Sequence, residues 1–265
     1  MTERDVAGDA FPAVDWRGQP LDCAVCEHRD LRSSGGCRPG SACVHDRYAL
    51  RIDRFFRWNP PLARHYLAHP YFEVRAIVAK HVEVFCLPQL MTDADETVRW
   101  SAVHRLTPRQ LLRLRDDPDR EVRIRVAARL PAVHLMPMMA DEDYFVRSIV
   151  ARRLPLSWLP DMRHDRDAEV RVEVARRIAP EWLAMLATDA AVAVRLVVVR
   201  RLPAWQLGLM LHDADWRVRY EVARRVETGK LGALSADEDD AVREMVRLRV
   251  HDIRAIPLRV AGGEA

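Results

Sequence analysis

Four of the five cysteines in this 265-residue chain fall within 21 consecutive residues near its amino terminus. They follow the spacing Cys23-x2-Cys26-x10-Cys37-x5-Cys43, and three glycines and a proline lie between Cys26 and Cys43. The opening sequence has no apolar stretch of the signal-peptide type, so we expect a cytoplasmic, reducing location in which structural disulfides are disfavoured. The loop therefore predicts four thiolate ligands around one metal centre.

The spacing leaves two kinds of centre open. A zinc ion held by four cysteines usually shows two short Cys-x2-Cys pairs, and here only Cys23 and Cys26 form one. A cubane iron–sulfur cluster also takes four cysteines and accepts isolated ligands. His28 and His45 stand nearby, but we expect them to be exposed loop residues. Cys86 lies farther along the chain and is expected to be a small buried residue rather than a fifth ligand.

A long internal repeat follows the cysteine loop. A Val-Arg pair recurs eight times at an interval of 24 residues, from Val74-Arg75 to Val242-Arg243. When each Val is numbered 0, apolar residues at positions 0, 4, 5 and 8 match the period of an amphipathic helix. The recurrent Leu at position 13 and Leu or Met at position 16 predict a short 3₁₀ or α turn.

Units of this size predict an all-α fold, because 24 residues hold one helix and one short turn but not two full helices. Such units must stack to bury their apolar faces, which predicts an α-solenoid. We expect a cysteine-cluster domain over residues 1–49 and a helical repeat array over 50–260, with a capping unit at 50–73 and eight repeats from residue 74. Asp at position 21 stands where a helix N-cap belongs, and Ala191 replaces it in one repeat.

These features together resemble the leucine-rich repeat variant family, in which a four-cysteine segment precedes VRxxVAxRLP units. The resemblance covers the chain from about Cys23 to Leu258. It implies a right-handed superhelix of alternating α and 3₁₀ helices, and an amino-terminal domain that holds a 4Fe-4S cluster. On that basis Cys23, Cys26, Cys37 and Cys43 would be the cluster ligands, and iron–sulfur is favoured over zinc. The family brings no established activity to transfer.

Arginine and aspartate form columns along the repeats. Arg at position 1 occurs in all eight copies and points toward the apolar face of its helix, where an unpaired guanidinium would be unfavourable. The aspartates at positions 19 and 21 stand six and four residues before it, so we expect an Arg–Asp ladder. Its members include Arg99 with Asp93 and Asp95, Arg123 with Asp117 and Asp119, and Arg147 with Asp141 and Asp143.

A second set of arginines occupies positions 6 and 7 of the later repeats. A solvated helix face is the simple explanation, and the alternative is an anion or partner-binding surface that could follow a phosphate backbone. The net charge of only +3 restrains the nucleic-acid interpretation. The candidates are Arg152, Arg153, Arg176, Arg177, Arg200, Arg201, Arg224 and Arg225.

Motifs of enzymes are missing from the sequence, which has no glycine-rich phosphate loop, no HExxH and no nucleophile elbow. No apolar run is long enough for a membrane span, and nothing indicates a small-molecule substrate. We therefore expect an interaction protein whose repeats bind a protein partner and whose cluster is structural or redox-sensing. The alternatives are nucleic-acid binding by the Arg columns and electron transfer through the cluster.

Overall fold

The structure is a computed structural model that describes residues 12–255, with side chains through residue 251. Leu258 and the outer ends of the predicted ranges 1–49 and 50–260 lie outside the described residues. Across the described part of the chain the protein is helical, and β-structure is limited to isolated bridges such as Arg38 with Ala42. The predicted all-α repeat fold is confirmed. The chain divides into two compact units, residues 1–134 and 135–265.

The first unit contains the cysteine loop and the early repeats. Its α-helices are α1 (Arg29–Ser33), α2 (Ala49–Trp58), α3 (Phe72–His81), α4 (Leu87–Leu90), α5 (Glu96–Val103), α6 (Pro108–Leu111) and α7 (Arg120–Arg129). Its 3₁₀ segments are Pro60–Tyr66, Val84–Cys86, Leu112–Leu114 and Ala132–His134. The capping unit thus has the same plan as a repeat, with α2 followed by a 3₁₀ segment.

The second unit repeats this alternation. Its α-helices are α8 (Tyr144–Arg153), α9 (Ala168–Arg177), α10 (Pro180–Leu183), α11 (Val192–Arg201), α12 (Trp216–Arg225) and α13 (Asp240–Ala255). Its 3₁₀ segments are Met136–Ala140, Leu156–Met162, Ala184–Leu186, Ala204–Met210 and Thr228–Leu234. Among the described residues, no helix combines the length and apolar character that crossing a bilayer requires.

The core of each unit is built from the recurrent apolar positions. In the repeat that starts at Val170, the side chains of Val170, Val174 and Ile178 are fully buried, and Leu183 and Leu186 are nearly so. The same positions are buried in the other repeats that start at Val74 through Val218, so the short second segment contributes as regularly to the core as the main helix does. In the repeats that start at Val74 through Val218, position 5 is a buried Ala or Val, whose small side chain lets adjacent helices approach closely. In the last repeat this position is the exposed Arg247.

Aspartates at position 21 cap the helices as expected. The side chain of Asp119 accepts hydrogen bonds from the backbone N–H groups of Glu121 and Val122 at the start of α7. Equivalent caps are made by Asp95, Asp143, Asp167 and Asp215. Ala191, the exception in the sequence, begins α11 without a side-chain cap.

Aspartates at position 19 join consecutive repeats through arginine. Arg99 donates from Nε and Nη2 to both carboxylate oxygens of Asp117, each at 2.9 Å, and from Nη1 to the backbone oxygen of Asp93. Arg147 binds Asp165 and the backbone oxygen of Asp141 in the same way. The carboxylate partner therefore lies 18 residues ahead, whereas chain proximity had pointed four or six residues back.

This difference has a geometric cause. One nitrogen of the Arg fork reaches the carbonyl of the preceding turn, and the other two reach the aspartate in the turn before the next repeat helix. Arg123 likewise donates to the backbone oxygen of Asp117. The expected side-chain pairs of Arg99 with Asp93 or Asp95 and of Arg147 with Asp141 or Asp143 are replaced by these longer connections. Asp119 and Asp143 serve instead as N-caps.

Candidate functional site: the four-cysteine cavity

The four clustered cysteines line one cavity of about 250 Å³ in the first unit. Cys37 and Cys43 are buried, Cys23 and Cys26 are half-buried, and all of them are free thiols. Cys86 is buried in its own 3₁₀ segment and does not line the cavity. The structure thus brings together the four residues that the spacing singled out.

A tight turn positions the inner pair of thiols. Ala42 donates from its backbone N–H to the oxygen of Arg38 at 2.7 Å, and Gly40 turns the chain with φ of +73°. A left-handed conformation of this kind favours glycine. The turn returns the chain so that the thiols of Cys37 and Cys43 are hydrogen-bonded to each other.

Helix α2 holds this loop in place. Asn59, which follows α2, donates from Nδ2 to the backbone oxygen of Gly36 at 2.7 Å. A Cβ atom on Gly36 would lie only 2.9 Å from Asn59 Oδ1, so a larger residue at this position would have to displace the Asn59 side chain. Cys43 donates its N–H to the oxygen of Arg51 within α2 at 3.1 Å. The loop is therefore docked on the capping unit of the repeats.

The surroundings of the thiols alter their acidity. Burial raises the pKa of Cys26, although its sulfur accepts the N–H of His28 at 3.4 Å. The hydrogen bond from Cys43 lowers the pKa of Cys37, and the same bond, together with burial, raises the pKa of Cys43. Of the two inner thiols, Cys37 therefore has the lower pKa.

The four cysteine thiols surround a cavity and do not converge on the position of a single ion. In the part of the chain that the structure describes, no three His, Cys, Asp or Glu side chains come close enough together to hold a single metal ion. A tetrahedral zinc ion with Zn–S bonds of about 2.3 Å would need its sulfurs only about 3.8 Å apart. Four thiols around a cavity of about 250 Å³ fit a larger inorganic group.

A polar network below the cavity was not anticipated from the sequence. Tyr66 donates its hydroxyl to Glu27 at 2.6 Å and also contacts His28 Nε2, and His45 Nε2 lies 3.7 Å from Glu27. Burial lowers the pKa of His28, His45 and His69, which favours their neutral forms. Instead of being exposed, His28 and His45 are half-buried and line the cavity.

The start of the repeat array is adapted to this loop. Position 19 of the capping unit is His69, whose ring accepts the Tyr71 N–H and whose backbone oxygen accepts from Arg75, as Asp does elsewhere. Arg51, at position 1 of the capping unit, pairs at 2.9 Å with Asp46, and both side chains are completely buried. The first rung of the ladder therefore ties α2 to the segment just after Cys43.

The position 7 arginines close the ends of helices. Arg177 donates to the backbone oxygens of Ala151 and Leu154 at 2.7 and 2.9 Å, at the end of the preceding α8. Arg225 contacts Val199 and Leu202 equivalently, and Arg201 donates to the oxygen of Ala175. Burial lowers the pKa of Arg153 and Arg201. Arg177, Arg201 and Arg225 are therefore bound to carbonyls at the C-terminal ends of helices and are not free to form an anion surface.

The position 6 arginines form two groups, in each of which one glutamate binds two arginines. Glu173 accepts from Arg152 at 3.0 Å and from Arg176 at 2.7 Å. Glu221 accepts from Arg200 at 3.1 Å and from Arg224 at 3.0 Å. The two glutamates are 9% and 10% exposed, whereas the four arginine side chains are 49–60% exposed. Each group leaves one net positive charge at the surface.

Comparisons with known proteins agree with this architecture. Residues 13–65 match the family described as "LRV protein FeS4 cluster", which makes the cysteine segment a domain of the iron–sulfur type. A solved structure titled "A leucine-rich repeat variant with a novel repetitive protein structural motif" is 42% identical, with a TM-score of 0.83, over 86% of this chain and 98% of that one.

A curated relative is an uncharacterized 27.7 kDa protein in the nifB 3' region of Rhodobacter capsulatus. It is 52% identical over 93 residues, which are 35% of this chain. The chain spans 38% of the length of that relative.

Proposed function

Because this chain belongs to the leucine-rich repeat variant family, we propose that Cys23, Cys26, Cys37 and Cys43 bind a 4Fe-4S cluster and that the repeats bind a protein partner. The observation that carries the first part is the single cavity of about 250 Å³ that all four thiols line. The second part is supported by the half-exposed arginine groups on the repeat helices.

The residues of the loop divide the work of holding such a cluster. Cys37 and Cys43 would supply the buried side, fixed by α2 through Asn59 and Arg51. Cys23 and Cys26 would supply the half-exposed side, where the N–H of His28 points at the Cys26 sulfur. Hydrogen bonds to ligand sulfurs and solvent exposure set the reduction potential of such centres. When bound, a 4Fe-4S cluster supplies one-electron redox chemistry and a cross-link between loop segments.

The test is metal and sulfide analysis of protein purified without air. We expect about four iron and four acid-labile sulfide per chain, with broad absorption in the visible range. Single Cys-to-Ser changes at the four positions should lower the iron content. Cys86→Ser is the matched control, because Cys86 is buried outside the cavity, and it should retain full iron. One zinc per chain with no sulfide would contradict the proposal.

The surface proposed to bind the protein partner consists of the two arginine groups Arg152–Glu173–Arg176 and Arg200–Glu221–Arg224. Each buried glutamate holds two guanidinium groups in fixed positions while their outer faces stay accessible. Pre-positioned guanidinium groups bind carboxylates well because their donors are already ordered. The arrangement favours an acidic protein surface.

Nucleic acid is the weaker alternative for this surface. The position 7 arginines are bound to backbone carbonyls, and the position 6 arginines are half neutralised by glutamate. Few guanidinium groups therefore remain to contact successive phosphates.

The partner proposal is tested by co-purification from cells expressing tagged protein, followed by cross-link mapping. Replacing Arg152, Arg176, Arg200 and Arg224 by Ala should release the partner, and Arg217→Ala, an exposed arginine outside these groups, should not. Loss of DNA retention in the same variant, with a steep salt dependence, would indicate nucleic-acid binding instead.

A further inference from the structure

A groove of about 530 Å³ lies between α3 and α5, outside the cysteine loop and outside the arginine groups. Its lining includes Ala76 and Ile77 from α3 and Trp100 and Ser101 from α5. Its volume is in the range of about 300–1,000 Å³ that is typical of binding pockets. Nothing in the iron–sulfur domain or the Arg–Asp ladder uses this groove.

Trp100 provides a fixed apolar wall. The guanidinium of Arg125 stacks over its ring, 4.2 Å from the centroid, and Arg125 is held by Glu121 at 2.8 Å. Ala76 and Ile77 are buried at the floor of the groove. Ala76 lines the same groove as Trp100 with only a methyl side chain. An apolar group entering the groove would therefore meet a surface that is already ordered.

Opposite charges stand at the two ends of the groove. Glu73 lies in the first turn of α3 and Lys80 in its last turn, and seven residues of helix separate them by about 10.5 Å. Within residues 12–251, neither side chain lies within hydrogen-bond or ion-pair distance of a partner. Burial raises the pKa of Glu73, and the more distant charge of Lys80 partly offsets this effect. The helix dipole favours both locations, but it leaves their donors and acceptors unused.

The remaining polar groups restrict what can bind. Arg105 is engaged with the backbone oxygens of Ala79 and Val82, so it acts as a wall and not as a free cation. Burial, followed by the charges of Arg125 and Arg129, lowers the pKa of His104, which favours a neutral ring that can donate to an incoming carboxylate. A phosphate backbone would meet the Glu73 carboxylate at the other end and be repelled.

We propose that this groove binds an extended segment of the partner protein, with a basic side chain at Glu73, an acidic side chain at Lys80 and apolar residues against Trp100. In a polyproline II segment, which is extended and has three residues per turn, residues three apart lie on the same face and are separated by about 9 Å. This spacing is close to the rise along α3 between Glu73 and Lys80. The inference rests on the proposal that the repeats bind a protein partner, and it places a second contact at α3 and α5.

The probes are capped tetrapeptides added to the full-length, cluster-loaded protein. Acetyl-Arg-Leu-Leu-Glu-amide, the reversed acetyl-Glu-Leu-Leu-Arg-amide and the neutral acetyl-Gln-Leu-Leu-Gln-amide are titrated while chemical shifts of α3 and α5 are followed. One of the two charged orders should bind about fivefold to tenfold more tightly than the neutral peptide, as expected for two partly exposed charge pairs. The preferred order gives the direction of the bound segment.

Substitutions of Glu73 and Lys80 test whether their charges determine which peptide binds. Glu73→Gln and Lys80→Gln should each reduce the preference for the charged peptide, and the double variant Glu73→Lys with Lys80→Glu should prefer the opposite order. Glu169→Gln is the matched control, because Glu169 occupies the same register at the start of α9. Equal binding of all three peptides, or an unchanged order in the double variant, would overturn the inference.

These outcomes are distinguishable from failure of the proposed function. If the partner is captured through the arginine groups but is indifferent to Glu73 and Lys80, only the groove is wrong. If no partner is captured and the peptides still bind, the groove is a peptide site and the arginine surface is wrong.

Discussion

An aspartate at position 19 makes three kinds of hydrogen-bond contact, as Asp189 illustrates. Its side chain accepts both arms of the Arg171 fork at 2.7 and 2.9 Å and also the N–H of Ala191 at 2.8 Å. Its backbone oxygen accepts from Arg195 at 2.7 Å. One residue therefore connects α9, its own turn and α11.

Removing this carboxylate should be costly. Asp189→Ala leaves the Arg171 guanidinium largely buried without its charge partner, and we expect a loss of about 3 kcal/mol in the free energy of unfolding. The measurement is urea unfolding followed by circular dichroism. Asp167→Ala, which removes only an N-cap, should cost about 1 kcal/mol. Equal losses in the two variants would show that the ladder is not a major source of stability.

The ladder also predicts sensitivity to acid. Hydrogen bonds from Arg219 hold the pKa of Asp237 below its ordinary value of 3.8, outweighing the opposite effect of burial. A carboxyl with a depressed folded-state pKa stabilises the fold above its unfolded pKa, and that contribution is lost as the pH falls through the folded value.

We therefore expect the contribution of Asp237 to be constant from neutral pH down to about pH 5 and to fall below about pH 4. The melting temperature followed by circular dichroism from pH 7 to pH 3 checks this. Asp237→Asn should be less stable at neutral pH and should show a shallower decline in acid. Parallel curves for the two proteins would contradict the assignment.

The sequence identified the Arg and Asp columns but not how they pair. Periodicity fixes which positions recur, and Arg99 was correctly expected to need a carboxylate. It does not fix which turn a side chain faces, because Asp93 is close in sequence whereas Asp117 is close only after the helices have stacked. The same limit applies to Arg177, whose carbonyl partners lie 23 and 26 residues back.

At the level of helices, the arginines at positions 6 and 7 are adjacent in sequence but differ in role. Arg177→Met should cost about 2 kcal/mol, because charge-assisted hydrogen bonds to the end of α8 are lost. Arg176→Met, which loses one half-exposed ion pair, should cost less than about 1 kcal/mol. Thermal unfolding of both variants compares them, and the reverse order would show that position 7 does not cap helices.

Helix α11 offers a test in which a substitution should increase the free energy of unfolding. Its N-cap residue Ala191 has φ −87° and ψ 122°, close to the conformation of the aspartate caps, but no side-chain acceptor. Ala191→Asp should raise the free energy of unfolding by about 1 kcal/mol. Ala193→Asp, which adds the same charge inside the first turn, should gain only a few tenths of a kcal/mol. A gain no larger at residue 191 than at residue 193 would point to charge and not to capping.

On the scale of the whole molecule, the sequence predicted the repeat fold well and the cysteine domain only in outline. Valines and leucines at fixed intervals determine which faces are buried, so all the apolar columns were found. The network of Glu27, His28, His45 and Tyr66 joins residues from distant parts of the chain without any periodicity. The predicted domain boundary at residue 49 stays a prediction.

Loss of the cysteine site should reduce stability only in the neighbouring part of the chain. Repeat proteins are held together mainly by contacts between neighbouring units, so Cys43→Ser should increase amide hydrogen exchange in the loop, α2 and the 3₁₀ segment Pro60–Tyr66. Exchange in α11 and α12 should not change. The measurement is hydrogen exchange with mass spectrometry on cluster-loaded and variant protein, and uniform loosening along the chain would contradict this expectation.

The long Arg-to-Asp connection has a consequence for how such arrays change length over evolution. If recombination excised residues 166–189 in frame, Arg147 would keep Asp165, and Arg195 would fall six residues after Asp165, ready to donate to that backbone oxygen as Arg171 does now. Arg201 would find the Ala151 carbonyl in place of Ala175. Whole repeats can thus be gained or lost without leaving any arginine or aspartate of the Arg–Asp ladder without its partner.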